Sequence, residues 1–195
     1  VRTSETARGV TAPPPRRSPG PGRGEEVRIH RYFYDCEFVE DGRIVDLVSI
    51  GVVDEEGREF YAVSTEFDGS RAVPWVRRNV LDKLPSPADP AWRSRERIRD
   101  DLYQFLVAPL RDRSADEIEL WAWYAAYDHV ALAQLWGAMP ALPREIPRFT
   151  KDLRQRWDDA GRPPLPSAAA DRHDALVDAR HNLARWQVIG QPDPG

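Results

Sequence analysis

Cysteine is all but absent. The 195-residue sequence holds one, Cys36, so no disulfide can close within the chain and nothing points to an oxidising compartment. Long apolar runs are missing too, and none approaches the roughly 20 residues that a membrane-spanning helix needs. The opening stretch VRTSETARGVTAPPPRRSPGPGRGEE lacks the apolar core of a signal peptide. A cytoplasmic protein with no membrane attachment is therefore expected. Excess positive charge is lacking as well. The formal net charge of -4 argues against a general nucleic-acid coat, but does not exclude an enzyme that acts on nucleic acid, because a metal can supply the missing positive charge. With one Cys and four His, no pair has the close spacing of a zinc site.

What is present fits one folded domain with a substantial core: 41% hydrophobic residues, seven tryptophans and 31% charged residues. Residues 1–27 are rich in Pro, Gly and Arg, without apolar periodicity. They read as a disordered tail, either passive or a basic arm that touches RNA. The domain is expected over 28–190, with a short tail at 191–195. VRIHRYFYDCEF, IVDLVSIGVV and REFYAVSTEF read as three strands joined by the turns EDGR and DEEG, an antiparallel meander. WRSRERIRDDLYQFLVAPL places Ile98, Leu102, Phe105 and Leu106 at helical spacing. IELWAWY reads as a strand, YDHVALAQLWG as a helix ending at Gly137, and PRFT as a short fifth strand before the helix KDLRQRWDDAG. The Pro-rich loop RPPLPSAAADR leads to a last helix, HDALVDARHNLARWQVIG. This order gives an α/β fold: a mixed five-stranded sheet, its first three strands antiparallel, flanked by helices.

Several acids stand out against this pattern. Asp35 and Glu37 alternate with Cys36 on the first strand, so their side chains share a face. Two carboxylates a few ångströms apart repel by roughly 3–4 kcal/mol at an effective dielectric of about 20. Either one keeps a proton or a cation lies between them, although an acid pair at a strand end is also an ordinary surface feature. Asp128 falls where a strand hands over to a helix, a place that helix capping alone would explain. His173 and Asp178 are five residues apart, about 140° around a regular helix, so they converge only if His173 lies at or before the helix start.

The set Asp35-x-Glu37, Tyr127-Asp128 and His173-x₄-Asp178 resembles the three exonuclease motifs of the DEDDh superfamily, which has an RNase H-like fold. The stretches RYFYDCEFVEDGRIVDLVSIGVV, REFYAVSTEFD, ELWAWYAAYDHVALAQLWG and HDALVDAR are similar to the actinobacterial polyadenylate-specific 3′-exoribonucleases, the RNase AS branch. The resemblance runs from about residue 31 to residue 189. Two departures accompany it. Cys36 stands where that branch has threonine, and Tyr124 and Ala125 stand where proofreading relatives carry an asparagine.

The resemblance implies that Asp35, Glu37, Asp128 and Asp178 hold two Mg²⁺ ions, with Mn²⁺ able to substitute, and that His173 is the general base. It implies nucleoside 5′-monophosphates released from the 3′ end of adenylate-rich, single-stranded RNA, and a homodimer. Cys36, Phe38 and Ser64 are the expected substrate contacts, and Asp35 the residue bridging both ions. A DNA 3′-exonuclease and a catalytically silent RNA-binding module of the same fold are the competing readings. A nucleophilic Cys36 is rejected, because its anionic neighbours would raise the thiol pKa. His30, His129 and His181 read as surface or packing residues, and Trp121 and Trp123 as core. Arg148, Lys151, Arg154 and Arg156 either guide the phosphate backbone or form a solvated face.

Overall fold

The computed structural model describes residues 26–167 and 172–190. The expected tails at 1–27 and 191–195 fall, apart from residues 26 and 27, outside the described residues.

Three strands rich in β-branched and aromatic residues open the fold: β1 (Ile29–Glu40), β2 (Val45–Asp54) and β3 (Glu59–Ser64). Gly42 and Gly57 supply φ of 79° and 86° in the two intervening turns, a region that side chains disfavour. The strands pair antiparallel, as the acidic-Gly turns suggest. A short helix α1 (Pro74–Asn79) and the two-residue strand β4 (Trp92–Arg93) follow, then the long helix α2 (Arg95–Arg111). Ser94 caps α2 by accepting from the Arg97 N–H. The remaining elements are β5 (Glu117–Ala122), α3 (Ala126–Ala133), β6 (Lys151–Asp152), α4 (Leu153–Asp159) and α5 (Ala175–Ile189).

The sheet runs β4-β3-β2-β1-β5-β6, with β4 parallel to β3, and β5 parallel to both β1 and β6. It has six strands, where the sequence suggests five. The added strand, β4, lies in a segment read as the start of a helix, and the last strand falls at Lys151–Asp152 rather than in PRFT. Two-residue strands carry no period from which to read them.

β1 lies near the middle of the sheet, and its alternation sorts the two faces. Tyr32, Tyr34 and Cys36 join Ile98, Leu102 and Leu106 of α2 and Leu132 of α3 in the main core. Phe33 points the other way, packing with Val53, Trp121, Leu153 and Ala179 beneath α5. Helix α5 approaches the sheet through small residues: Ala175 and Ala179 are fully buried. Its start lies directly on Gly51 of β2, the residue paired with Asp35. A Cβ there would fall 2.3 Å from the Leu176 nitrogen and 2.4 Å from the Ala175 carbonyl. Buried Asn182 completes the docking, its Nδ2 donating to the Tyr34 carbonyl at 3.0 Å.

Candidate active site

Continuing the row that Phe33 starts, Asp35 and Glu37 project from the α5 face of β1. After β5 the chain turns through Tyr124, whose φ of 60° swings the backbone sharply into α3. That turn puts Asp128 in the first turn of α3, where its Oδ1 accepts the Cys36 N–H at 2.8 Å. The third acid is thus fastened to the strand residue lying between the first two.

His173 sits just before α5, at φ 68°, and Asp174 caps the helix by accepting from the Leu176 and Val177 N–H groups. The His173 N–H donates to Asp178 Oδ2 at 2.8 Å, across the first helical turn. The five-residue spacing therefore converges in the way anticipated, with the histidine outside the helix. Glu37, His173 and Asp178 each offer a ligand atom, and these atoms lie within 4.8 Å of one another.

Asp35, Glu37, Asp128, His173 and Asp178 line one cleft of about 450 Å³, joined by Cys36, Phe38 and Tyr127. Burial raises the Asp35 pKa well above the carboxylate range, and the charges of Asp128, Glu37 and Asp178 raise it further. Burial, with Asp178 and Asp128 nearby, pushes Glu37 to about 8. Asp128 is pushed to about 7 by burial, against the pull of the hydrogen bond from Cys36. The His173 pKa is lowered by burial; Asp178 opposes that shift, while Arg172 and Lys83 add to it. The imidazole is accordingly neutral near pH 7, as a proton acceptor must be. The Cys36 thiol is raised by burial and then by Asp128, Asp35 and Glu37, which leaves it unreactive.

Of the expected substrate contacts, Cys36 and Phe38 line the cleft, and the Phe38 ring stacks on Tyr127 with centroids 5.7 Å apart. Ser64 does not line it. This residue is buried at the end of β3, its Oγ accepting the Glu66 N–H at 3.1 Å. Trp121 is core, but Trp123 lines the cleft beneath the Arg185 guanidinium, 4.2 Å from its ring. His30 is buried against Asp54 at 3.2 Å, and His129 Nδ1 meets Thr150 Oγ1 at 3.1 Å. Lys151 pairs with Glu119, and Arg154 with Asp158, so both are engaged within the fold.

Arg185, Arg172 and Glu40, which the sequence reading passed over, also line the cleft, and of these Arg185 belongs to α5. It stands two helical turns beyond Asp178, on the same face of α5, and the i, i+7 spacing carried that signal. Its Nη1 donates to Asn182 Oδ1 at 2.9 Å, and its buried Nε has no hydrogen-bond partner among the described residues. Burial depresses its pKa, whereas Asp178 and Asp35 favour its charge.

Comparison with known proteins adds two findings. The domain family described as "3'-5' exoribonuclease Rv2179c-like domain" matches residues 30–190. Two proteins of Mycobacterium tuberculosis, "3'-5' exoribonuclease Rv2179c" of strain H37Rv and "3'-5' exoribonuclease MT2234.1" of strain CDC 1551, are each 60% identical over 163 residues. The alignment covers 84% of this chain and 95% of each relative.

Proposed function

The chain belongs to the Rv2179c-like 3′-5′ exoribonuclease family, and from that premise we propose that it shortens single-stranded RNA from the 3′ end by DEDDh-type chemistry on an RNase H-like fold. The observation that carries this reading is the meeting of Asp35, Glu37, Asp128, Asp178 and His173 in one cleft, drawn from three distant segments.

The donor set fits hard divalent cations. Oxygen ligands dominate, and burial together with the charges of Asp178 and Asp128 holds protons on Glu37 to about pH 8. Asp35, Glu37, Asp128 and Asp178 would hold two Mg²⁺, or Mn²⁺. When bound, such ions supply Lewis acidity to the attacking water and to the departing 3′-oxygen. His173, neutral and at the rim of the acid cluster, accepts the proton of that water. Arg185, a cleft guanidinium under the field of Asp178 and Asp35, would offer charge to the scissile phosphate. The stacked pair Phe38 and Tyr127 offers a flat surface to the terminal base. The Cys36 N–H is already given to Asp128, so Cys36 shapes the wall rather than donating to the base. Adenylate preference and a homodimeric state belong to this proposal, and the sequence resemblance supports both. Among the described residues, no helix is long and apolar enough to cross a membrane.

Digestion of 5′-labelled homopolymers of each base, as RNA and as DNA, tests the reading. A ladder of mononucleotide losses from RNA is expected, fastest on oligoadenylate and abolished by EDTA. Undiminished cleavage in excess EDTA would end the metal mechanism. Equal rates on DNA would make this a general 3′-exonuclease, and tight RNA binding without AMP release would make it a silent module.

The raised carboxyl pKa values give a second expectation. Between the ordinary carboxylate range and about pH 8, the folded metal-free protein binds more protons at Glu37 and Asp128 than the unfolded chain does. Stability must then fall as pH rises through that window. In EDTA the melting temperature should be higher at about pH 5.5 than at about pH 8.5, and millimolar Mn²⁺ should restore most of the loss at the higher pH. Melting points that rise with pH in EDTA, or ignore Mn²⁺, would contradict the acid cluster.

A further inference from the structure

The segment between β3 and β4 passes beside the His173 loop and grips it at two points. The Trp75 indole stands edge-on to the His173 imidazole, with centroids 4.7 Å apart and planes at 79°. Eight residues further on, Lys83 Nζ donates to the Arg172 carbonyl. The segment itself is well held. Pro74 opens α1, Val76 packs against the buried cluster of Val39, Val48 and Val80, and Asn79 Nδ2 donates to the Trp75 carbonyl at 2.8 Å.

His173 needs such a grip. Its backbone is pinned, both by the left-handed φ and by the N–H donated to Asp178. Among the described residues, however, no hydrogen bond reaches the imidazole itself. A general-base histidine commonly has its second ring nitrogen held by a carboxylate or carbonyl, which fixes ring plane and tautomer. Here the contact that fixes the ring plane is aromatic. An edge-to-face pair at this separation is a favoured arrangement of two π systems, and it resists rotation of either ring. Trp75 is 49% exposed, so burying the indole contributes far less to the core than a buried tryptophan would.

We propose that Trp75 is the positioning residue of His173: its indole fixes the imidazole in the orientation that faces the acid cluster. This rests on the assignment of His173 as the general base. A misplacement of about 1 Å in a reacting group can cost 10²-fold in rate, which sets the scale of the effect.

Three variants decide the matter: Trp75→Leu, Trp75→Phe and His173→Ala, assayed on a short single-stranded RNA with Mg²⁺. Trp75→Leu should lower kcat by about 10- to 100-fold with KM changed less than about twofold, and Trp75→Phe should return kcat to within about threefold of the parent. A readout independent of turnover comes from the histidine Cε1–H resonances, with His173 assigned by its loss in His173→Ala. That resonance should move in Trp75→Leu as the indole ring current disappears, and the other three histidine signals should stay. An unchanged kcat, a rise in KM alone, or a stationary His173 resonance overturns the positioning role. If His173→Ala keeps full turnover, the base assignment falls and this role with it. A dead His173→Ala beside a fully active Trp75→Leu removes the Trp75 role alone.

Discussion

Asp35→Asn is expected to lower nucleotide release by about 10³-fold or more, and yet to raise the melting temperature of the metal-free protein. The two effects share one cause. Asp35 is the acid on which the other three press: burial, Asp128, Glu37 and Asp178 all raise its pKa. An amide of the same shape keeps the packing and needs no proton, so the cost that burial and the neighbouring charges place on an ionisable group there is removed. On the proposed mechanism the same change would remove one of the carboxylates that hold the cations, and a thousandfold loss corresponds to about 4 kcal/mol of transition-state stabilisation. Single-turnover assays on end-labelled RNA, paired with thermal melting in EDTA at about pH 8, separate the two effects. A variant that is inactive and also less stable would assign Asp35 to structure, against the proposed mechanism.

Gly51→Ala should have the largest effect on the fold. The added methyl would meet backbone atoms of Ala175 and Leu176 at 2.3–2.4 Å, and backbone cannot swing aside as a flexible side chain does. Overpacking of a tight interior typically costs 1–3 kcal/mol, and this contact belongs at or beyond the upper end, about 3 kcal/mol. The strain falls on the first turn of α5, which carries Asp178 and follows His173 directly. Activity should therefore drop by at least about tenfold under conditions in which the variant remains folded, because the acid and the base shift together. Urea unfolding followed by intrinsic fluorescence, with RNA cleavage measured well below the transition, checks both. A Gly51→Ala protein as stable and active as the parent would mean that α5 does not rest on β2 in this manner.

Much of this arrangement could be read from the chain, and the reasons are local. The antiparallel meander shows in β-branched runs broken by acidic-Gly turns. Helix geometry gives the condition for His173 to converge on Asp178, a histidine at or before the helix start, and the structure meets it. Strand β4 is not readable, being too short for any period, and for the same reason the short strand expected at PRFT falls just after that stretch, at Lys151–Asp152. The close approach at Gly51 is a tertiary fact, because nothing local in β2 says that α5 is what approaches. Trp75 gave no sign at all. Its role depends on a neighbour nearly a hundred residues away, and an exposed aromatic on a short helix has no distinctive pattern. Ser64 shows the opposite failure. A family-like setting suggested a contact, while the strand's register turned the hydroxyl into a buried turn partner.

The position of α5 also bears on when the enzyme comes alive. Three of the four carboxylates lie ahead of it in the chain, and the fourth acid and the histidine arrive with it. A polypeptide still in synthesis, with this helix inside the ribosome, carries part of the anionic pocket and no proton acceptor. On the proposed mechanism such a chain is harmless to the message being translated, and the capacity to destroy RNA begins when this helix docks on β2.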